Sequence, residues 1–141
     1  MKLDIAQRIV AAALAHARSR NMLPLVVAVL DARGAPRSLA AEDGTSLRRS
    51  DIAIGKAHGT LATGLGSRTL MKRAETQPYF IASVTQAIGG SLIPVPGGVL
   101  IRDAQGSLIG AVGVTGDTSD NDEACAIAGI EAVGLKADPG S

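Results

Sequence analysis

The chain has 141 residues, of which 46% are hydrophobic and 19% charged, a composition typical of one globular domain and not of a disordered segment. A net charge of +1 gives no basic field for nucleic acid, and one Tyr, one Phe and no Trp leave almost no aromatic surface for stacking bases. No apolar run reaches the ~20 residues of a membrane span. The sequence therefore predicts a domain whose partners include neither nucleic acid nor membrane.

The N-terminal segment predicts a helix over residues 4–20, because apolar residues recur on one helical face, with His16 among them. The apolar run from Ile9 to Ala15 also resembles a secretion signal, but it is at the short end of the usual range and charged residues interrupt its approach. The lone Cys125 cannot form an intramolecular disulfide, which fits a reducing compartment. We expect a cytoplasmic protein, with secretion as the alternative.

The middle of the chain predicts two strands followed by helices. The continuous apolar run Leu25–Leu30 indicates a buried strand, and Pro36–Ala41 indicates a poorer edge strand after a turn. A cap at Thr45 or Ser46 predicts a second helix that ends near Thr63. A short third helix is predicted over 69–75, whereas 77–85 fits either class because it contains a proline.

The last third of the chain predicts three strands and a helix. A strand begins at Leu92, the loop 94–98 follows, and two further strands are joined by a hairpin at 103–106. The final helix is predicted from Ser119 or Asp120 to Gly134. Its caps are expected to be Asp120 with Glu123, or Ser119 with Asp122.

This order of elements predicts an α+β fold. Hairpin connections imply a five-stranded antiparallel sheet flanked by helices, of profilin-like or PAS-like shape. We expect one domain over residues 1–141, with its core in 4–134 and a short C-terminal tail over 135–141. Sheets of this kind often hold a ligand against the middle helices.

Four segments in the same order and spacing carry a family resemblance: 27–34, 50–57, 94–101 and 109–116. Together they resemble the GlcG/HbpS family, which also includes the C-terminal domain of PduO-type adenosyltransferases. The resemblance implies a profilin-like fold, homo-oligomers from dimers to octamers, and haem binding or haem degradation in some members. Where relatives often carry an arginine this chain has Ala41, so Arg48 and Arg49 are the candidates to replace it.

The loop 94–98 and the second helix carry the predicted ligand-binding residues. Glycine permits close backbone approach, so the loop can present N–H groups to an anion or a carbonyl oxygen, or it can simply be a bend between strands. Lys56 can anchor a carboxylate or form a Schiff base, or it can be a surface lysine. The predicted ligand-binding set is Lys56, Pro96, Gly97, Gly98 and Thr115.

Haem would need an axial side chain that binds its iron. The composition includes several suitable residue types, but the sequence does not single out one of them. His58 shares a helical stripe with apolar residues and is either a packed histidine or a ligand to haem or another metal. The other candidates are His16, Tyr79, Met71 and Cys125. The two histidines lack zinc-site spacing, and a buried, inert Cys125 is the simplest interpretation.

The glycine turn at 113–116 precedes a helix, an order also found at phosphate sites. The acidic residues that follow would repel a phosphate, so helix capping is the better interpretation. Asp117, Asp120 and Asp122 offer a hard-cation alternative, although their spacing is not that of an EF-hand.

Three functions are compatible with these observations. The first is a module that binds a small molecule or a tetrapyrrole such as haem. The second is an enzyme acting on a small oxygenated acid or aldehyde, with Lys56, His58 and Asp51 as its acid–base groups. The third is a non-catalytic, oligomeric accessory subunit.

Overall fold

The computed structural model describes all residues from 1 to 141 and contains five helices and five strands. In chain order they are α1 Leu3–Ser19, β1 Val26–Asp31, β2 Pro36–Ala41, α2 Arg49–Thr63, α3 Ser67–Thr76, α4 Pro78–Ala87, β3 Gly98–Arg102, β4 Leu108–Thr115, α5 Ser119–Glu131 and β5 Lys136–Asp138. The strands form one antiparallel sheet in the order β2-β1-β4-β3-β5. The predicted α+β fold with a five-stranded antiparallel sheet is confirmed.

One face of the sheet carries the main core, under α1 and α5. Alternate residues of a strand point to the same face, so Val27 and Val29 of β1 lie beside Val112 and Val114 of β4. Small residues of α1 and α5 complete this layer, and Gly129 lets α5 approach α1 closely. Burial of this apolar surface is the main stabilising contribution to the fold.

The opposite face of the sheet is covered by α2 at very short range. A Cβ on Gly98 would lie 2.5 Å from the carbonyl oxygen of Lys56, and one on Gly113 would overlap the carbonyl oxygen of Ala53. Helix and sheet therefore meet backbone to backbone. The expectation of a ligand between the sheet and the middle helices is not met for α2, because this contact leaves no room.

Two sequence-based assignments near the β3 edge are wrong. The segment starting at Leu92 is not a strand, because Pro94 and Pro96 have no N–H to donate and Leu92 instead packs against α3 and α4. The fifth strand is β5, which lies in the predicted C-terminal tail. It pairs with β3, and Asp138 accepts a 2.9 Å hydrogen bond from Arg102 Nε.

Helix boundaries also differ from the predicted caps. α2 begins at Arg49, and Ser46 contributes only its backbone carbonyl to that residue's N–H. α5 is capped by Thr118, whose Oγ1 accepts from the N–H of Asn121 at 3.2 Å, because the acidic side chains that follow are engaged elsewhere. The ambiguous segment after residue 77 is α4, with Pro78 in its first turn, where the missing N–H costs nothing. No helix combines the length and apolar character needed to cross a membrane.

Candidate functional site

Lys56 is a buried lysine on the sheet-facing side of α2, and not the surface residue that one interpretation of the sequence allowed. Its side chain is 2% exposed, and Nζ donates to the Val114 carbonyl at 2.9 Å and to Asp122 Oδ2 at 3.1 Å. Because α2 and α5 lie on opposite faces of the sheet, this ion pair joins the two helical layers at the end of β4. It lines none of the three cavities of the protein.

Burial governs the electrostatics of this pair. Removal from water lowers the pKa of Lys56 and raises the pKa of Asp122, and the attraction between the two opposes both shifts. Asp122 also accepts from the N–H of Asp117 at 3.0 Å. Hydrogen bonds thus compensate the charges where water cannot.

The other predicted ligand-binding residues surround Lys56, so the structure brings the predicted set together. Pro96, Gly97 and Gly98 are buried, and a Cβ on Gly97 would lie 2.8 Å from Lys56 Nζ. Gly97 O accepts from the N–H of Val114 at 2.8 Å, and Gly98 N donates to Ser67 Oγ at 2.7 Å. The loop backbone is therefore largely engaged within the protein. Ligand binding by this set stays a prediction.

Thr115 and Arg49 form the outer margin of the same region. Arg49 Nη1 donates to the buried Thr115 Oγ1 at 3.4 Å, whereas Arg48 pairs with Asp51 at the exposed start of α2. Ala41 lies in the same row across the sheet, because Val26 pairs with both Ala41 and Thr115. Of the two candidate arginines, Arg49 is the one directed over the sheet.

His58 lies on the outer side of α2 and is half-buried. Its Nδ1 is 2.8 Å from the carbonyl oxygen of Ser91, and a Cβ on Gly34 would lie 3.4 Å from its ring. A carbonyl oxygen only accepts, so Nδ1 must carry the proton and donate. The other ring nitrogen, Nε2, has no hydrogen-bond partner in the protein, and in the neutral ring with the proton on Nδ1 it carries the lone pair. This is the arrangement in which a histidine binds a metal ion.

A surface groove of about 440 Å³ is lined by Ser91, the residue whose carbonyl contacts His58 Nδ1, while His58 itself is not among the lining residues. It runs between the first turns of α2 and the segment that connects α4 to β3. Its lining residues are Arg48, Asp51, Gly55, Gly89, Gly90, Ser91, Leu92 and Ile93. Asp51 and Gly55 continue the helical stripe of His58 at spacings of four and three residues. The groove thus combines small and apolar walls with one exposed arginine and one exposed aspartate.

The remaining candidate axial residues are less suited to binding iron. His16 Nδ1 is 3.3 Å from the Arg20 guanidinium, and partial burial together with that cation lowers the pKa of His16. Tyr79 is 68% exposed on α4, and Met71 lies half-buried on α3. Cys125 is buried, which raises the pKa of its thiol to about 11 and keeps it protonated, in agreement with an inert thiol.

The acidic residues at the start of α5 are separated by their partners. Asp117 accepts from the N–H groups of Leu23 and Thr118, while Asp120 and Glu123 bind Arg68 of α3. No group of three or more His, Cys, Asp or Glu side chains is arranged to hold a metal ion.

The roles of two residues of this region, Asp122 and Ser91, were missed by sequence reasoning, although Asp122 was named there as a capping or cation-binding residue. A lysine in the middle of a helix among small residues indicates burial and hence a counter-charge, but nothing in the sequence selects Asp122 from its acidic neighbours. Ser91 acts through its backbone carbonyl, which any residue would supply, so its side chain carries no signal.

Comparisons with known proteins agree with the resemblance carried by the four segments. The model of a family described as haem degrading protein HbpS-like matches residues 1–131. No curated protein matches the sequence.

Several solved structures share the fold. A crystal structure of a PduOC–haem complex has a TM-score of 0.86 at 22% identity and covers 98% of each chain. A double mutant of HbpS from Streptomyces reticuli has a TM-score of 0.80 at 26% identity, covering 94% of this chain and 86% of that one. Protein ORFY from Klebsiella pneumoniae has a TM-score of 0.83 at 24% identity, covering 95% and 90%.

Proposed function

The chain belongs to the HbpS-like haem-degrading family, and on this premise we propose that it binds haem or a closely related tetrapyrrole with His58 as the axial ligand. The single observation that carries the proposal is the hydrogen bond between His58 Nδ1 and the Ser91 carbonyl. It fixes the tautomer in which Nε2 offers a lone pair, and it holds the ring in one orientation.

The groove lined by Ser91 supports the same ligand class. Leu92 and Ile93 provide an apolar wall, and the glycines at 89 and 90 leave open space along it, whereas Gly55 is packed against Ile93. Arg48 at the rim is paired with Asp51, and an acidic substituent such as a propionate would compete with Asp51 for its guanidinium. The groove is open, so it can hold one edge of a planar molecule while the remainder stays outside. When bound, haem would supply the iron centre, and these residues would position and shield it.

Haem titration followed at the Soret band tests the proposal. The wild type is expected to give a saturable spectral shift at one haem per chain. His58→Ala is expected to weaken binding by about tenfold or more, because it removes the axial nitrogen. His16→Ala is the matched control, since it removes the only other histidine and is expected to leave the affinity unchanged.

Three outcomes would contradict the proposal. They are the absence of a saturable shift in the wild type, a shift that His58→Ala leaves intact, and a loss confined to His16→Ala. A folded His58→Ala variant, judged by its circular dichroism spectrum, is required for the comparison.

We further propose that the protein acts as a homo-oligomer in the cytoplasm. The family resemblance supports the first part, and the lone reduced Cys125 supports the second. Size-exclusion chromatography with light scattering tests the oligomer, and a single monomeric species at every concentration would contradict it.

A further inference from the structure

The outer edge of β2 is a six-residue strand with a neighbour on one side only. The N–H of Glu42 bonds to the carbonyl of Leu25 at 3.0 Å, which sets the alternation of the antiparallel ladder. Ala40 and Ser38 therefore bond to β1, whereas Leu39 and Ala41 direct their N–H and C=O groups away from the sheet. An edge of this kind is a template for another strand.

The side chains of this edge do little to block such pairing. Leu39 shares its face of the sheet with Ala28 and is 40% exposed, because α2 covers β1, β3 and β4 and leaves β2 bare. Proline stands only at the first position of the strand, and the strand contains no lysine. A bulge, Pro36 and Arg37 protect the N-terminal end of the strand, and the stretch from Ser38 to Ala41 carries none of the usual protecting features.

Charge along β2 is arranged so that the edge complements itself. Arg33 and Arg37 lie at its N-terminal end and Asp43 at its C-terminal end, all three exposed and without an ion-pair partner in the protein. An antiparallel copy of the same strand would place the basic end of each copy against the acidic end of the other. A parallel copy would place like charges together.

We propose that two copies of this chain pair through β2 about a two-fold axis at Leu39, joining their sheets into one. Pairing Leu39 with Leu39 of the second copy keeps the same residues on the same face, as the two-residue period requires. In that register Arg37, which lies at the bulge of β2, faces the C-terminal end of the second copy's strand, where Asp43 lies in the turn after Ala41. The interface is isologous, so the contact closes at a dimer.

Charge reversal tests the side-chain part of this interface by sedimentation velocity over a range of protein concentrations. Arg37→Glu and Asp43→Lys are each expected to raise the dimer dissociation constant about tenfold or more, because each places like charges across the axis. The double variant restores opposite charges and is expected to return to within about threefold of the wild type.

Leu39→Pro tests the backbone part. Proline removes an N–H that points away from β1, so the protomer keeps its own ladder while the dimer loses its central bonds. Leu3→Gln changes another exposed leucine, on α1, and is the control that is expected to dimerise as the wild type does. A wild type that stays monomeric, dimers that persist in both charge variants, or a failure of the double variant to recover would overturn the proposal.

Discussion

The charged groups of Lys56 and Asp122 lie where water does not reach, with both side chains 2% exposed. A buried ion pair gives little net stability, because the cost of removing two charges from water offsets their attraction. Its loss is nevertheless expensive, since one charge is then left alone. In this protein the pair also joins α2 to α5, and Lys56 Nζ lies close to Gly97 in the loop that bonds to β4.

Replacing Lys56 with Met is therefore expected to lower the free energy of unfolding by about 3–5 kcal/mol, because the Asp122 carboxylate loses its counter-charge. Denaturant unfolding monitored by circular dichroism measures the change. Arg48→Met is the control, since its ion pair with Asp51 is exposed and is expected to contribute less than about 1 kcal/mol. A cost for Lys56→Met as small as that of the control would contradict this account.

The contact between α2 and the sheet depends on glycines. The fold requires that these residues have no side chain, and it does not use their conformational freedom. Gly98 and Gly113 have backbone conformations open to any residue, yet a Cβ at either position meets the backbone of α2. Because a helix backbone cannot move locally by rotating a bond, the whole helix must shift to accept the extra carbon.

Gly113→Ala is expected to destabilise the protein by about 3 kcal/mol or more, because its Cβ overlaps the Ala53 carbonyl. Gly106→Ala is the comparison: its φ of +86° costs a side chain roughly 1 kcal/mol, but the new carbon meets nothing. Thermal and denaturant unfolding of both variants separate the two effects. Equal losses would mean that backbone strain, and not the packing of α2, dominates at Gly113.

Local patterns in the sequence predicted the elements well where one signal acted alone. The apolar run at 25–30 could only be a buried strand, and it pairs on both sides. Prediction failed where local and tertiary signals conflict. Leu92 has strand-like neighbours, but the two nearby prolines have no N–H to donate to a strand ladder. β5 forms in a polar tail because β3 has a free edge there and Arg102 provides an ion-pair partner for Asp138.

The site was predicted in part for a related reason. Residue types and helical spacing identify Lys56 and His58 as candidates, yet they cannot tell that the first faces the sheet and the second contacts the Ser91 carbonyl on the outer side of α2. That difference depends on the rotation of α2, which the glycines of β3 and β4 set through long-range packing. The proposed ligand position therefore moved from the loop at Gly97 to the outer face of α2.

At the scale of the whole molecule, helices cover both faces of the sheet, and no cavity separates α2 from it. The proposed ligand position is therefore at the surface, where the groove lined by Ser91 lies next to the residue that hydrogen-bonds to His58 Nδ1. The fold is shared with structures at 22–26% identity, so this local geometry, more than the fold, carries the proposed function.

The most direct test is to replace the proposed axial ligand and to measure the absorption and magnetic circular dichroism spectra of the haem iron. Ferric haem complexes of the wild type, His58→Cys and His16→Cys are compared by absorption and magnetic circular dichroism. The account predicts a histidine-ligated spectrum for the wild type, a thiolate-ligated spectrum for His58→Cys alone, and a wild-type spectrum for His16→Cys. A His58→Cys complex with the wild-type spectrum, or a ligand change confined to His16→Cys, would contradict it.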